Sequence, residues 1–356
     1  MKVGILTFPN SPSYGASLQM KALYTALNEL GCDAEIINYR NTYMSNKKHV
    51  LYRNNSKIKN IAIAILDIPG KRKFKLFENK MRFYPEIILN ETDDLSEIAD
   101  RYDYLICGSD QVWNPDITGE DLHYFFDFCK YDNKKISYAA SFGVNHLKHE
   151  YSLKVANELK KFKAISVREE NGLEIIKKIA ENNCNLVLDP TMLLKKNDWK
   201  KQEKIVKGLP KKYIVRFIFN HDETVEEYID KLKTKTGLPV ITIGGTVISR
   251  TKKNGLTGPV GPDEWLYIID NAEYVVTDSF HGAAFSIIFN KQLFISLASS
   301  TNSRLKTLAS TFKLDNNVIQ NNKDSIGEID YTLVNNIMDV KRSESINFLI
   351  NSLNQE

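Results

Sequence analysis

Short, unbroken apolar runs alternate along this chain with longer segments whose apolar residues recur at helical spacing. Residues 3–8 are the first such run, suited to a parallel strand buried on both faces. Turn formers occupy 9–17. Leu18, Ala22, Leu23, Ala26, Leu27 and Leu30 then fall on one helical face, and Gly31 stops the helix. A second strand over 34–39 completes a βαβ unit. Further strands are expected over 102–107, 135–140, 164–167 and 186–188, with a helix near 150–161. These six strands make one doubly wound domain. A Lys-rich stretch, 195–212, reads as a linker. The alternation then restarts: strand 213–219, helix 223–236, strand 240–243, a short helix from Asp263, strand 274–277, a helix, strand 292–296 and a helix from Asn302. The pattern predicts an α/β protein of two Rossmann-like, doubly wound domains facing a central cleft. The division expected is 1–195 and 196–356, with the last helix packing back on the first domain.

One region breaks the alternation. Residues 46–82 hold eleven Lys or Arg and two acids, Asp67 and Glu78, an excess of nine positive charges in a chain whose net charge is only +4. An apolar run at 61–66 separates the basic clusters, and two helices about a Pro69-Gly70 turn are expected. Charge this concentrated steers anionic ligands or an anionic membrane surface; the plainer alternative is a solvated helical pair.

Composition narrows the classes further. The chain has 356 residues, 42% hydrophobic and 26% charged, enough for two cored domains. The small net charge argues against nucleic acid as a partner. The four cysteines, Cys32, Cys107, Cys129 and Cys184, are scattered without a CxxC pair, so neither a disulfide scaffold nor a metal site is expected. The N-terminus reads as a strand rather than a signal peptide, and no apolar run approaches the ~20 residues of a membrane helix. A cytoplasmic protein is expected, with peripheral contact at the inner membrane face where 46–82 serves that purpose.

The candidate chemistry centres on Thr277-Asp-Ser-Phe-His-Gly282, where a buried strand passes into a helix. Asp278 and Ser279 are good N-cap residues. His281 and Gly282 therefore sit in the first helical turn, where unpaired N–H groups and the helix dipole suit phosphate or carboxylate. A histidine there can move a proton near neutrality, although a lone histidine at a helix start is as often a packing residue. The loop after the first strand lacks the GxGxxG fingerprint, so NAD and FAD are not expected.

Asn10-Ser-Pro-Ser-Tyr-Gly-Ala-Ser-Leu-Gln19, Gly108-Ser-Asp-Gln-Val-Trp-Asn114, Ser166-Val-Arg-Glu169, Asp189-Pro190, Thr277-Asp-Ser-Phe-His-Gly282 and Asn302-Ser-Arg304 together resemble the polysaccharide pyruvyl transferase family, over about residues 3–312. The resemblance implies a GT-B-like fold. It implies transfer of pyruvate from phosphoenolpyruvate, the donor substrate and not a bound cofactor, to a sugar during capsule, exopolysaccharide or cell-wall glycan synthesis. The acceptor sugar would be linked to a nucleotide or to a lipid pyrophosphate. The family's histidine maps onto His281 and its arginine before an acidic residue onto Arg168. Two positions depart from the pattern: Ser279 stands where many members have Arg, and Ala16 where many have Asp. Arg304 or Arg216 is expected to supply the missing cation, and Asp110 the missing carboxylate.

Ketal formation needs a proton at the enol carbon, cations for the donor's carboxylate and phosphate, and a base for the sugar hydroxyl. His281 is expected as the acid and Asp110 as the base, with capping the alternative for Asp110. Arg168, Ser279, Gly282, Asn302 and Arg304 are expected on the donor side; surface ion pairs are the alternative for the arginines. Asn10, Tyr14, Gly15, Ser17, Gln19, Ser109, Gln111, Trp113 and Asn114 are expected on the acceptor side, with core packing the alternative for Trp113. Two other functions fit the same pattern: a GT-B glycosyltransferase using a nucleotide sugar, and a non-catalytic glycan- or anion-binding member of the family.

Overall fold

A computed structural model describes residues 1–44, 57–180, 182–244, 259–297, 303–319 and 328–354. The first sheet is built of β1 (Lys2–Leu6), β2 (Asp33–Tyr39), β3 (Phe83–Leu89), β4 (Tyr104–Cys107) and β5 (Lys135–Ser137), in the order β3-β2-β1-β4-β5, all parallel. Val3, Ile5 and Leu6 are fully buried, as a central strand covered on both faces requires. A small parallel pair, β6 (Ser166–Val167) and β7 (Asn185–Leu186), continues this sheet through single bridges from Ile136 to Ala164 and from Ala140 to Val167. The second sheet takes β8 (Ile214–Phe217), β9 (Val240–Thr242), β10 (Tyr274–Thr277) and β11 (Gln292–Ile295) in the order β11-β10-β8-β9, again all parallel.

Both sheets change winding direction at their centre, between β1 and β4 in one and between β8 and β10 in the other. In open parallel sheets ligands bind outside the carboxyl ends of the strands at such a switch point. Here the two switch points face each other.

The domains share a core. Tyr14, Leu18 and Ala22 of the Tyr14–Glu29 helix, and Phe74 and Phe77 of the Lys57–Glu78 helix, belong to the same buried cluster as Phe217, Trp265 and Phe285 of the second domain. The Tyr14 ring stacks on Trp265 with centroids 5.5 Å apart, and its hydroxyl donates to the Val260 carbonyl at 3.2 Å. Lys73 donates to Glu264 Oε1 and to the Pro259 carbonyl, both at 2.8 Å. The Tyr331–Asn354 helix touches both cores: Val334 and Met338 lie in the shared cluster, whereas Leu349 and Leu353 pack with Val3, Ile5 and Met20.

Four sequence expectations need correcting. β3 is an additional edge strand. Pro85 and three exposed positions hide it from a search for buried runs, and an edge tolerates a proline because one side needs no ladder bonds. Pro69 does not end a helix; it lies inside one running from Lys57 to Glu78. A proline removes one hydrogen bond without having to stop a helix, and Phe74 and Phe77 beyond it are buried against the second domain. The stretch from 195 is not a free linker, since Lys196–Lys200 is helical and Trp199 is fully buried against Phe285. Lys73, counted with the solvent-facing cations, is instead an interdomain contact. Residues 46–56 lie outside the described residues. Among the described residues no helix is long and apolar enough to cross a membrane.

Burial alone would raise the Glu264 pKa, but Lys73 and the Gly261 N–H hold it below the ordinary carboxylate value. The stability this contributes is present above that ordinary value and is lost as pH falls through the lowered one. Lys73→Ala is therefore expected to cost about 1–3 kcal/mol at neutral pH, since a largely buried carboxylate loses its hydrogen-bonded cation and keeps only the more exposed Lys204 at 3.5 Å. The gap from wild type should narrow on acidification. Thermal melting of both proteins from neutral to acidic pH checks this.

Candidate active site

A polar cavity of about 300 Å³ opens between the two switch points. Its walls come from four strand exits: Ser13, Tyr14 and Gly15 after β1, Asp110 and Gln111 after β4, Phe219 and Asn220 after β8, and Asp278 to His281 after β10. Arg304, in the first turn of the Ser303–Thr311 helix, completes it.

The second-domain wall is fixed by short-range bonds. Asp278 accepts from the Phe219 N–H at 2.8 Å and from the Asn220 N–H at 2.9 Å, tying the exit of β8 to that of β10. Ser279 is the N-cap of the Phe280–Ile288 helix, its Oγ accepting from the Gly282 N–H at 3.3 Å. A Cβ on Gly282 would lie 2.5 Å from Thr277 Oγ1 and 2.9 Å from the Phe217 ring. Glycine is therefore required there for helix–strand packing.

His281 reaches across to the first domain. A Cβ on Gly15 would stand 2.1 Å from His281 Nδ1, so the imidazole lies directly on the Gly15 backbone. Its Nε2 is buried with no hydrogen bond among the described residues; Asp189 Oδ2 lies 3.6 Å away.

Beneath the cavity floor lies a cluster of buried charge. Arg168 donates to Asp189 Oδ2 at 2.8 Å and to Asp110 Oδ1 at 3.1 Å, and its guanidinium lies 4.7 Å from the centre of the Phe280 ring. Asp189 also accepts from Ser109 Oγ at 3.0 Å and from the Thr191 N–H at 3.0 Å. Asp110 holds a left-handed backbone, φ 77°, that a non-glycine residue seldom adopts. That conformation turns its carboxylate toward both Arg168 and the cavity.

The electrostatics follow from this packing. Burial opposes ionisation of Asp189, but His281, Arg168 and the Thr191 N–H together hold its pKa below the usual carboxylate range. Asp110 is likewise lowered, against burial, by Arg168, His281 and Arg304. Glu169, buried with no hydrogen bond to Oε2 among the described residues and Arg168 Nε 3.8 Å from it, is raised by burial despite the two arginines. Burial and the neighbouring Arg168 bring Arg304 down to about 10, and its Nε has no hydrogen bond among the described residues. Arg304 is thus a cavity-wall cation, whereas Arg168, whose Nε likewise makes no hydrogen bond among the described residues, is fully buried and engaged through its other two nitrogens by Asp189 and Asp110.

Of the residues singled out from the sequence, the cavity gathers Tyr14, Gly15, Asp110, Gln111, Ser279, His281 and Arg304. Arg168 lies one layer below rather than on the wall, because its two carboxylate partners hold it there. Ser17 bonds Glu78, Gln19 bonds Thr7 and the Ser109 N–H, and Asn10 bonds Asn38. Asn114 caps the short Pro115–Thr118 helix, and Ser109 is buried against Asp189. These five build the floor and its supports, and none lines the cavity. Trp113 is fully buried, stacked on Phe125 and donating to the Tyr124 carbonyl, so no sugar reaches its face. Arg216, the other arginine expected near the donor, pairs with Glu226 away from the cavity. Asn302 lies outside the described residues. Phe219, Asn220 and Asp189 were not singled out as site residues; the Asp189-Pro190 pair, directly after a short apolar run, was the available signal for the last.

The His281–Gly15 contact makes a steric prediction. Gly15→Ala should cost about 1–3 kcal/mol of stability, the usual cost of overpacking. Most of that loss should vanish in a His281→Ala background, where the added methyl finds room. Chemical denaturation of the two single variants and the double variant measures the coupling, which should reach at least about 1 kcal/mol.

The comparisons with known proteins agree with this architecture. No curated protein sequence matches the chain. The family described as polysaccharide pyruvyl transferase matches residues 14–300, a span from the Tyr14 helix to beyond β11. Among solved structures, the UDP-GlcNAc 2-epimerase of Neisseria meningitidis bound to UDP-GlcNAc aligns with a TM-score of 0.50 at 10% identity, covering 99% of this chain and 99% of that one. A glycosyltransferase from Rickettsia africae aligns at 0.48 and 12% identity, over 99% of this chain and 95% of the other. At such identity the Neisseria likeness shows a shared fold, the GT-B-like pairing of two Rossmann-like domains. With its two facing switch points and a family match over most of its length, the chain is a transferase and belongs to the polysaccharide pyruvyl transferase family.

Proposed function

We propose that the protein moves pyruvate from phosphoenolpyruvate to two hydroxyls of a sugar, forming a ketal during capsule, exopolysaccharide or cell-wall glycan synthesis. One observation carries this reading. His281 and Arg304, whose buried Nε2 and Nε make no hydrogen bond among the described residues, line one cavity at the N-terminus of the Phe280–Ile288 helix. That combination suits a small dianion that must be protonated.

In the reaction, His281 delivers a proton to the enol C3, and C2 becomes the electrophile. One sugar hydroxyl adds at C2, the bond from C2 to the phosphate oxygen breaks, and the second hydroxyl adds at the same carbon. The hydroxyls release two protons; one balances the proton gained at C3 and the other leaves on phosphate. Arg304 holds the donor's negative charge as a fork. Asp110, ionised and kept so by Arg168, accepts the hydroxyl proton. Ser279 contributes through the cap that shapes the helix start. Gln111 and Tyr14, with the exposed Phe219 ring at the cavity edge, face the acceptor. The Neisseria relative binds UDP-GlcNAc, so nucleotide-linked sugars belong in the acceptor screen beside lipid pyrophosphate-linked ones.

Phosphate release from phosphoenolpyruvate, followed over such an acceptor panel, is the test. Turnover of a labelled nucleotide-sugar donor, with phosphoenolpyruvate left intact, would overturn the reading. His281→Ala should lower the rate per folded molecule by at least about 100-fold, the scale of general acid catalysis, with melting followed alongside because the imidazole also packs on Gly15. Arg304→Lys should weaken phosphoenolpyruvate binding by about tenfold in calorimetry, because a point charge replaces a two-pronged donor. Equal affinity in variant and wild type would remove Arg304 from the donor site. Because Asp110 is held below its ordinary pKa, the acid limb it governs should fall below the usual carboxylate range.

A further inference from the structure

The Lys57–Glu78 helix presents an outer face that the cavity chemistry does not use. Ile68, Arg72 and Leu76 are spaced four apart and so line up along one side, with Lys71 and Lys75 beside them. All five are exposed, Ile68 to 59% and Leu76 to 57%. Between 68 and 80 the one acid is Glu78, and it is turned inward, accepting from Ser17 Oγ at 2.9 Å. Lys71, Arg72 and Lys75 have no acidic partner among the described residues. Lys80 adds to the field: its charge, after burial, helps lower the pKa of Lys21 on the neighbouring helix. The same face thus joins large exposed apolar side chains to uncompensated cations, whereas a merely solvated helix face would mix charges and omit the former.

We propose that this face docks the protein on an anionic bilayer, with Ile68 and Leu76 entering the headgroup boundary and Lys71, Arg72 and Lys75 meeting lipid phosphates. Charge complementarity selects an anionic partner, and the two apolar side chains select a lipid surface over a soluble polyanion. The inner face of the same helix places Phe74 against Tyr14, ring centroids 5.3 Å apart, and Tyr14 lines the cavity. One layer of side chains therefore separates the docking helix from the cavity, which suits an acceptor carried on a lipid. The docking itself does not depend on the reaction assigned to the cavity.

The full-length protein is tested by co-sedimentation with phosphatidylcholine vesicles, with and without phosphatidylglycerol. Binding is expected only to the anionic vesicles, and it should fade between about 0.1 M and 1 M salt. Arg72→Gln with Lys75→Gln should weaken it roughly 25-fold, at about fivefold per cation. Ile68→Ser with Leu76→Ser should also weaken vesicle binding while leaving binding to soluble polyphosphate unchanged. No binding to anionic vesicles overturns the proposal. So does vesicle binding unaffected by the serine pair, which would make the face a general polyanion site. Phosphate release with a soluble acceptor, run on the same variants, should match wild type; its absence in every protein, wild type included, would count against the reaction and not against the docking.

Discussion

A charged guanidinium with no access to water sets the terms for this structure. Arg168 is fully buried, so its charge must be met by protein groups, and Asp110 and Asp189 meet it from two different loops. Removing the guanidinium would leave two buried carboxylates short of a cation, which is far costlier than the pairing is stabilising. The carboxylates exceed what one arginine neutralises. Arg304 and His281 supply the remaining positive character from beyond the first sheet. The charge cluster is therefore complete only when the 278–281 turn and the first turn of the Ser303–Thr311 helix are seated against the first domain. Fold and site are held by the same groups.

The cleft is correspondingly a packed joint. Tyr14 is at once a cavity wall, a partner of Trp265 and a member of the shared core. A residue with those three duties cannot follow one domain without disturbing the other. Gly15 beside it leaves no slack, since the imidazole of His281 occupies the space a methyl would need. The consequence is a cavity preorganised by packing, its polar groups already aimed before any ligand arrives.

Much of this could be read from the residues. The two series of parallel strands are legible because strands buried on both faces leave unbroken apolar runs. Their exits into hydrogen-bonding loops are equally plain, and those loops do line the cavity. The 223–236 helix is delimited by Asp222 at its start and Gly237 at its end, a cap at each terminus. What was not legible depends on tertiary contact. β3 pairs at a sheet edge, and only the sheet tells that its exposed residues form a strand. Arg168 and Trp113 sit in motifs that look like ligand sites, yet one is sealed by carboxylates and the other by Phe125 and Phe142. Burial decides between those duties, and a motif carries no record of it. Ser17, Gln19 and Ser109 are similar: polar residues in a small-residue loop serve a buried hydrogen-bond network as readily as a ligand.

The Tyr331–Asn354 helix bears on how the chain reaches this state during synthesis. Val3, Ile5, Met20 and Ala34 leave the ribosome roughly 300 residues ahead of Leu349 and Leu353, which are among the side chains that cover them. Until those arrive, part of that apolar face lacks its cover, however well the strands have paired and the Tyr14–Glu29 helix has docked. Such a surface is what chaperones bind and what drives nascent chains to associate. The first domain can thus form early but is finished only after the second has been made, so the order of assembly runs against the order of the sequence.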